Sequence, residues 1–338
     1  MSFRTFKWIK WVVCVACLAA FVWIGLDLNA MTAADSAVYG ALSGLISPAM
    51  TTLALVCTNL AGPIPLLVIT LLAVLLIPHK EYRIPLLLNL SIEVLLNLEL
   101  KNLFTRPRPA ETVRLAVETG FSFPSGHAMA AACFYGFFIY LVWKLCKRKG
   151  LRLLLTALLS FFILAVAASR VYLGVHYFSD VLGGLCVSAG YLIVFTSFVD
   201  LFFAQGETAN LLSGRAGRGR LRSSFAYALE GIAAGVKSER NMVIHFAAVA
   251  VVVVFGALLQ ISRMEWLVCV VLFGCVLTAE MLNTAVETVV NMVCPRIDPK
   301  AKLAKDVSAG AVLFMALAAA IAGCVIFLPK LWGLAGTL

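Results

Sequence analysis

The sequence predicts an all-α protein that crosses a membrane many times, in a six-span bundle followed by a three-span bundle with an amphipathic surface helix. Three observations carry that expectation. Of 338 residues, 62% are hydrophobic and only 13% charged, with a mean hydropathy of +0.99. No soluble domain needs that much apolar surface. The apolar residues lie in long runs, and the cations behind the net charge of +10 lie in the loops beside them. That pattern marks topology signals and lipid-head contacts rather than a nucleic-acid surface, so no nucleic-acid partner is expected.

In chain order, apolar runs long enough to span occur at about 8–28, 52–77, 83–100, 127–145, 151–168 and 181–204. The first lacks an A-x-A-like cleavage site, which favours an uncleaved span over a removed signal. Its Cys14 and Cys17 have redox-motif spacing but lie mid-helix in apolar surroundings, where a thiol packs as a small hydrophobe. The second run contains Gly62 and two prolines, which blur its start. A basic Gly/Arg-rich linker at 205–221 divides residues 1–204 from 222–338. "FAYALEGIAAGVKSERN" then suits a helix lying along the membrane surface. Further runs follow at about 243–260, 265–290 and 307–329.

The Lys/Arg bias places the N-terminus, residues 79–83, 144–152 and the linker arginines in the cytoplasm. One loop breaks the pattern. "KNLFTRPRPAETVR" (101–114) carries Lys101, Arg106, Arg108 and Arg114 yet falls on the outer side. Either a span is miscounted, or these charges bind something anionic.

Two further stretches map to the same side: "PSGH" (Pro124 to His127) and "SRVYLGVHYFSD", with Ser169, Arg170, His176 and Asp180. Together they have the residue types that phosphoryl transfer needs. Lys101, Arg108 and Arg170 can stabilise charge on three phosphoryl oxygens. Ser125 and Gly126 sit at an expected helix N-terminus, whose free N–H groups favour anions, and Ser169 beside Arg170 is a further phosphate-binding candidate. His176 and Asp180, four residues apart, share a face if helical, so the carboxylate can fix the imidazole tautomer that leaves one nitrogen free to attack phosphorus. His127 is then the candidate general acid for the leaving oxygen. Arg106 and Arg114 are expected to recruit phosphate or to be solvated.

Jointly, K-x6-RP, PSGH and SR-x5-H-x3-D resemble the three signature motifs of the type-2 phosphatidic acid phosphatase superfamily, over residues 1 to about 204. The resemblance implies an outward-facing lipid phosphate or pyrophosphate phosphatase. It would act through a phosphohistidine at His176 and need no metal or other cofactor.

Past the linker, "TAEMLNTAVETVVN" places Glu280, Asn283 and Glu287 at i, i+3 and i+7 on one helical face. Such groups inside an apolar span need a metal, a substrate or a polar partner, or they serve as glue between helices. Lys305 and Asp306 open the next span, and Glu239 lies at the inner end of the preceding one. Carboxylates, an amide and a lysine converging at the inner surface suit Mg²⁺ and nucleotide phosphates, although no Walker A or kinase glycine-rich loop is present. "SFAYALEGIAAGVKSERNMVIH", "AEMLNTAVETVV" and "AKLAKDVSAGAV" resemble the small three-span prokaryotic diacylglycerol kinase family over about 222–330. The S-E-R-N-x-x-I-H form is similar to the Gram-positive branch, whose members act as undecaprenol kinases. The resemblance implies Glu280 as base, Glu239 and Glu287 as metal ligands, and Asn283, Lys305 and Asp306 as ATP contacts. It also implies a homotrimer. Asn291 stands where relatives usually carry Asp.

The function expected is therefore a bifunctional enzyme of the bacterial cytoplasmic membrane. An outward phosphatase for undecaprenyl pyrophosphate and an inward ATP- and Mg²⁺-dependent kinase for undecaprenol would both yield undecaprenyl phosphate for envelope synthesis. The alternative is a glycerolipid phosphatase joined to a diacylglycerol kinase.

Overall fold

The computed structural model describes residues 3–203, 220–238 and 240–335. Among the described residues twelve α-helices follow one another: α1 Phe3–Leu26, α2 Thr32–Ser43, α3 Pro48–Leu60, α4 Pro63–Leu76, α5 Arg83–Phe104, α6 Gly126–Leu145, α7 Lys149–Tyr172, α8 Phe178–Phe202, α9 Arg220–Ser238, α10 Arg240–Leu258, α11 Arg263–Val293 and α12 Pro299–Ala335. The all-α architecture is the one expected. Two compact units result, one from residues up to Leu76 with Leu88–Val199, the other from Ile77–Leu87 with residues from Asp200 onward.

Seven helices are long and apolar enough to cross a membrane: α1, α6, α7 and α8 in the first half, and α10, α11 and α12 in the second. The expected span at 52–77 is a bent pair, long and apolar enough to cross only when its two helices are taken together. α3 and α4 meet at 51°, because Gly62 breaks the chain and Pro63 starts the next helix where its missing N–H is harmless. The expected span at 83–100 forms α5, but Arg83, Glu93, Glu99 and Lys101 set it apart from the seven by composition. The sequence reading missed α2 altogether.

In the first unit, Phe123 is fully buried beside Phe21, Ile24, Met129 and Val187, and its ring stacks on Phe21 at 5.5 Å. This cluster ties the loop before α6 to α1 and α8. Cutting such a ring to Ala costs about 3–5 kcal/mol. Helix α2 docks through Val38, Tyr39 and Leu42 onto Ala128, Ala167, Val171 and Val181.

In the second unit, α11 opens with a capping box, Ser262 accepting from the Glu265 backbone while Glu265 accepts from the Ser262 backbone. Lys330 of α12 pairs with Glu265 at 3.2 Å. The amphipathic segment expected after the linker is α9, which exposes Tyr227, Leu229 and Ile232. Most of the linker lies outside the described residues.

Candidate functional sites

The first site forms where the ends of α5, α6, α7 and α8 meet. His176 lies in the turn between α7 and α8, not on a helix as expected. Two features shape that turn. Gly174 has φ of +66°, and a Cβ there would collide with the Val113 carbonyl. Leu173 and Val175 are buried against Ala54 and Tyr172. The turn still delivers His176 to Asp180, in the first turn of α8, with Nδ1 3.4 Å from Oδ2.

Ser122 donates its hydroxyl to Asp180 Oδ2, and the same Oγ lies 3.3 Å from His176 Nδ1. A hydroxyl donating to the carboxylate has a lone pair left for the imidazole. Nδ1 therefore carries the proton, shared between Asp180 and Ser122, and the lone pair falls on Nε2. Nε2 accepts from Arg108 Nη1 at 3.0 Å. Burial foremost, then Arg108, Arg170 and Lys101, drive His176 well below the usual imidazole range, so the ring is neutral at neutral pH.

Around Nε2 lies a cradle of cations. Arg170, 1% exposed, donates to Thr58 Oγ1 and to Glu118. Arg108 lies 3.6 Å and His127 Nδ1 3.9 Å from the Glu118 carboxylate. Lys101, in the last turn of α5, shares their electrostatic field. Burial tends to raise the Glu118 carboxyl, but Arg170, His127 and Arg108 outweigh it and hold it at about 2. Ser125 caps α6 with its hydroxyl buried and unpartnered, and its backbone N–H donates to Asp180 O at 3.0 Å. A Cβ on Gly126 would lie 2.9 Å from Asn97 Oδ1, so that side chain would have to shift to admit one.

The structure thus gathers Lys101, Arg108, Ser125, Gly126, His127, Arg170, His176 and Asp180, but corrects two expectations. Ser169 donates to Val166 O of its own helix. Arg106 is neither solvated nor free to recruit phosphate: it pairs with Asp180 Oδ1 at 2.5 Å and Asp35 Oδ2 at 3.0 Å, over the Tyr177 ring. Arg114 is held by Pro109 O at 2.8 Å. Asp35, Glu118 and Ser122 were missed, each being a single polar residue outside any motif.

The second site lies on α11. Glu280 is 1% exposed, with Oε1 unpartnered and Oε2 4.0 Å from His245 Nε2 on α10. Asn283 donates to Glu287 Oε1 at 3.2 Å and accepts from Ser308 of α12 at 2.6 Å. Lys305 Nζ donates to Asn291 Oδ1 at 2.6 Å, so the amide at this position still holds the lysine. Asp306 is exposed and Glu239 lies outside the described residues. His245 and Ser308 were missed. An apolar cavity of about 260 Å³ opens beside His245, walled by Val252, Phe273, Val276, Ala320 and Gly323 among others.

No group of three or more His, Cys, Asp or Glu poised for a metal occurs among the described residues. The donors present here, Glu287 and the orphaned Glu280 oxygen, are hard oxygens of the kind Mg²⁺ prefers. They fit that ion, with Glu239 as the further ligand expected.

A buried histidine in a cation cradle and a buried carboxylate near an apolar cavity, both in a many-span membrane chain, suit a fusion of a lipid phosphatase with a lipid kinase. Comparison with known proteins agrees. Residues 83–203 match the PAP2 superfamily and residues 226–327 the prokaryotic diacylglycerol kinase family. The undecaprenol kinase of Bacillus subtilis (strain 168) is 41% identical over 112 residues, 33% of this chain and 91% of that protein. Phosphatidylglycerophosphatase B of the same strain is 34% identical over 174 residues, 49% of this chain and 83% of that protein. A crystal structure of a PAP2-type phosphatidylglycerolphosphate phosphatase from Bacillus subtilis superposes with a TM-score of 0.51 at 29% identity, covering 56% of this chain and 96% of that one. The chain belongs to the PAP2 superfamily through its first half and to the prokaryotic diacylglycerol kinase family through its second.

Proposed function

We propose that both halves make undecaprenyl phosphate, one from undecaprenyl pyrophosphate on the outer face and one from undecaprenol on the cytoplasmic face. The observation that carries the phosphatase chemistry is the orientation of His176, with Nδ1–H toward Asp180 and the Nε2 lone pair toward the cations. Nε2 attacks the terminal phosphorus, forming an N–P bond as the bond from that phosphorus to the bridging oxygen breaks and undecaprenyl phosphate leaves. His127 gives its proton to the leaving oxygen. Lys101, Arg108 and Arg170 hold the phosphoryl oxygens, with the backbone N–H groups at the start of α6. Water then attacks the phosphohistidine, His127 takes its proton, and phosphate leaves.

In the kinase half, Glu280 accepts the proton of the lipid hydroxyl as that oxygen attacks the γ-phosphorus of ATP and the bond to the β–γ bridging oxygen breaks, releasing ADP. Asn283, Lys305 and Asp306 hold the nucleotide, and Glu239 and Glu287 would hold Mg²⁺. Bound there, the ion neutralises charge on the nucleotide phosphates. A homotrimer with shared kinase sites is part of this reading.

The similarity to an undecaprenol kinase supports the isoprenoid substrate. The similarity to phosphatidylglycerophosphatase B favours a second reading, in which the phosphatase takes a glycerolipid monophosphate. The deciding experiment uses purified His176→Ala protein, which cannot erase product, with ATP, Mg²⁺ and equal amounts of undecaprenol and diacylglycerol. Mostly undecaprenyl phosphate is expected. Mostly phosphatidic acid overturns the isoprenoid reading.

A further inference from the structure

Asp35 lies far from every motif, on a short helix whose only other evident task is to pack. Among the described residues of the first unit it is a carboxylate buried to 5% exposure with both oxygens engaged. Oδ1 accepts from the Ser179 backbone N–H at 2.7 Å, and Oδ2 from the Ser179 hydroxyl at 2.8 Å and Arg106 Nη2 at 3.0 Å. Of these donors, Arg106 also pairs with Asp180, and Ser179 is the chain neighbour of Asp180. Ser179 precedes it in the first turn of α8, where backbone N–H groups have no partner within their own helix. Arg106 Nη1 donates both to Ser179 Oγ at 2.8 Å and to Asp180 Oδ1 at 2.5 Å.

We infer that Asp35 is a positioning residue of the phosphatase, acting through Arg106 and Ser179 to fix Asp180 and, through it, the attacking ring of His176. The inference rests on the phosphohistidine reading. Its physical basis is a shared cation. With one carboxylate, Arg106 would close on Asp180 and take its charge for itself. Held between two, it keeps Asp180 Oδ1 in place and leaves Oδ2 with net negative charge for Ser122, the Tyr177 backbone N–H and His176. Asp35 also accepts from an otherwise orphaned N–H of α8, so it fixes the turn carrying His176. Helix α2 is held for this task by its apolar contacts and by Tyr39, which donates to Val113 O at 3.4 Å. Supports one shell behind reacting groups are typically worth about 10–100-fold in activity.

The test is Asp35→Asn, which keeps the shape but turns an amide N–H toward Ser179 and Arg106, both already donors. The probe is undecaprenyl pyrophosphate in detergent, radiolabelled at its terminal phosphate, and phosphoenzyme formation is followed by rapid quench beside steady-state turnover. The expected result is kcat about 10–100-fold lower with KM within about twofold, and a burst of unchanged amplitude but slower rate. In an Arg106→Gln background the same substitution should cost less than it does alone, because the route through Arg106 is already cut and only that through Ser179 remains. A reduced burst amplitude at an unchanged rate means that Asp35 only holds the fold, and overturns the inference. So does full multiplication of the two effects. Should Asp35→Asn yield no folded protein, Ser179→Ala removes one strut, and an unchanged kcat there also overturns it. His176→Ala separates the two levels. If that variant keeps its activity, the phosphohistidine reading fails; if it is dead while Asp35→Asn is unaffected, only this inference does.

Discussion

Glu118 occupies the place where a phosphate should go. Its carboxylate is seated among Arg170, Arg108 and His127, the same groups proposed to grip the substrate. A phosphate entering the cradle must therefore displace it. The strength of its hold follows from its ionisation: from an ordinary carboxylate near 4.5 down to about 2, the cations favour charged Glu118 by about 3 kcal/mol. Glu118→Gln removes the charge and leaves the cations unsatisfied. Inorganic phosphate should then inhibit up to about 100-fold more tightly, a ceiling because the displaced carboxylate regains water in the natural protein. The assay is the inhibition constant of phosphate for the two proteins at one neutral pH and fixed ionic strength. An unchanged or weaker constant refutes the reasoning, and makes Glu118 a part of the cradle rather than its occupant. The same hold is a stability statement. A carboxyl depressed from 4.5 to about 2 contributes stability above about pH 4.5, and loses it as the pH falls through that window toward about 2.

Three further outcomes are expected. His176 titrates below the ordinary imidazole range, so its attacking lone pair survives acidification and phosphatase turnover should persist below about pH 6.5; an acid limb at or above that value counts against the burial argument. The same depression costs folded stability as the pH falls below the unfolded histidine value, because the unfolded chain then binds the extra proton. Gly323 faces the apolar cavity beside His245 and a Cβ there meets nothing within 4 Å, so Gly323→Leu should leave the thermal midpoint unchanged or higher, glycine being about 1 kcal/mol worse than Ala in a helix, while raising KM for lipid and not for ATP. A chelator should end kinase turnover in the whole protein and leave phosphatase turnover standing, read with both assays on one preparation.

What was legible in the sequence is what chemistry ties to fixed spacing. Arg170, His176 and Asp180 stand in one short stretch, and Glu280, Asn283 and Glu287 share a helical face because three to four residues make a turn. The paired helices of the kinase half were legible for the same reason, as apolar runs bounded by charge. Asp35 was not, since its partner Ser179 lies 144 positions away and no local pattern announces such an approach. Glu118 and Ser122 sit in a loop without periodicity, where only tertiary closure gives a polar residue a role. Helix α2, "TAADSAVYGALS", is short, small and half polar, and it gains its stability from docking rather than from a long apolar face. The helical link between His176 and Asp180 was a right contact expected for a wrong reason: Gly174 turns the chain, and the turn performs what a helical face would have done.

The two sites meet one problem, the charge on transferring phosphoryl groups, with opposite inventories. The phosphatase builds its counter-charge into the chain: Lys101, Arg108 and Arg170 are covalently fixed, Glu118 restrains Arg108 and Arg170 until a substrate arrives, and Asp35 and Asp180 hold Arg106 beside them. Displacement of Glu118 releases positive charge toward the phosphate without any ion from solution. The kinase half is the reverse. Glu280, Glu287 and Asp306 bring negative charge to a site that must accept a polyanionic nucleotide, and among the described residues near them Lys305 is already engaged by Asn291. Such a set repels ATP unless a cation comes with it, which is why chelation should divide the activities of one polypeptide. If the kinase kept turning over without divalent ions, the acidic residues would have to be neutralised by protonation or by partner subunits, and the roles given to Glu239 and Glu287 would fall together.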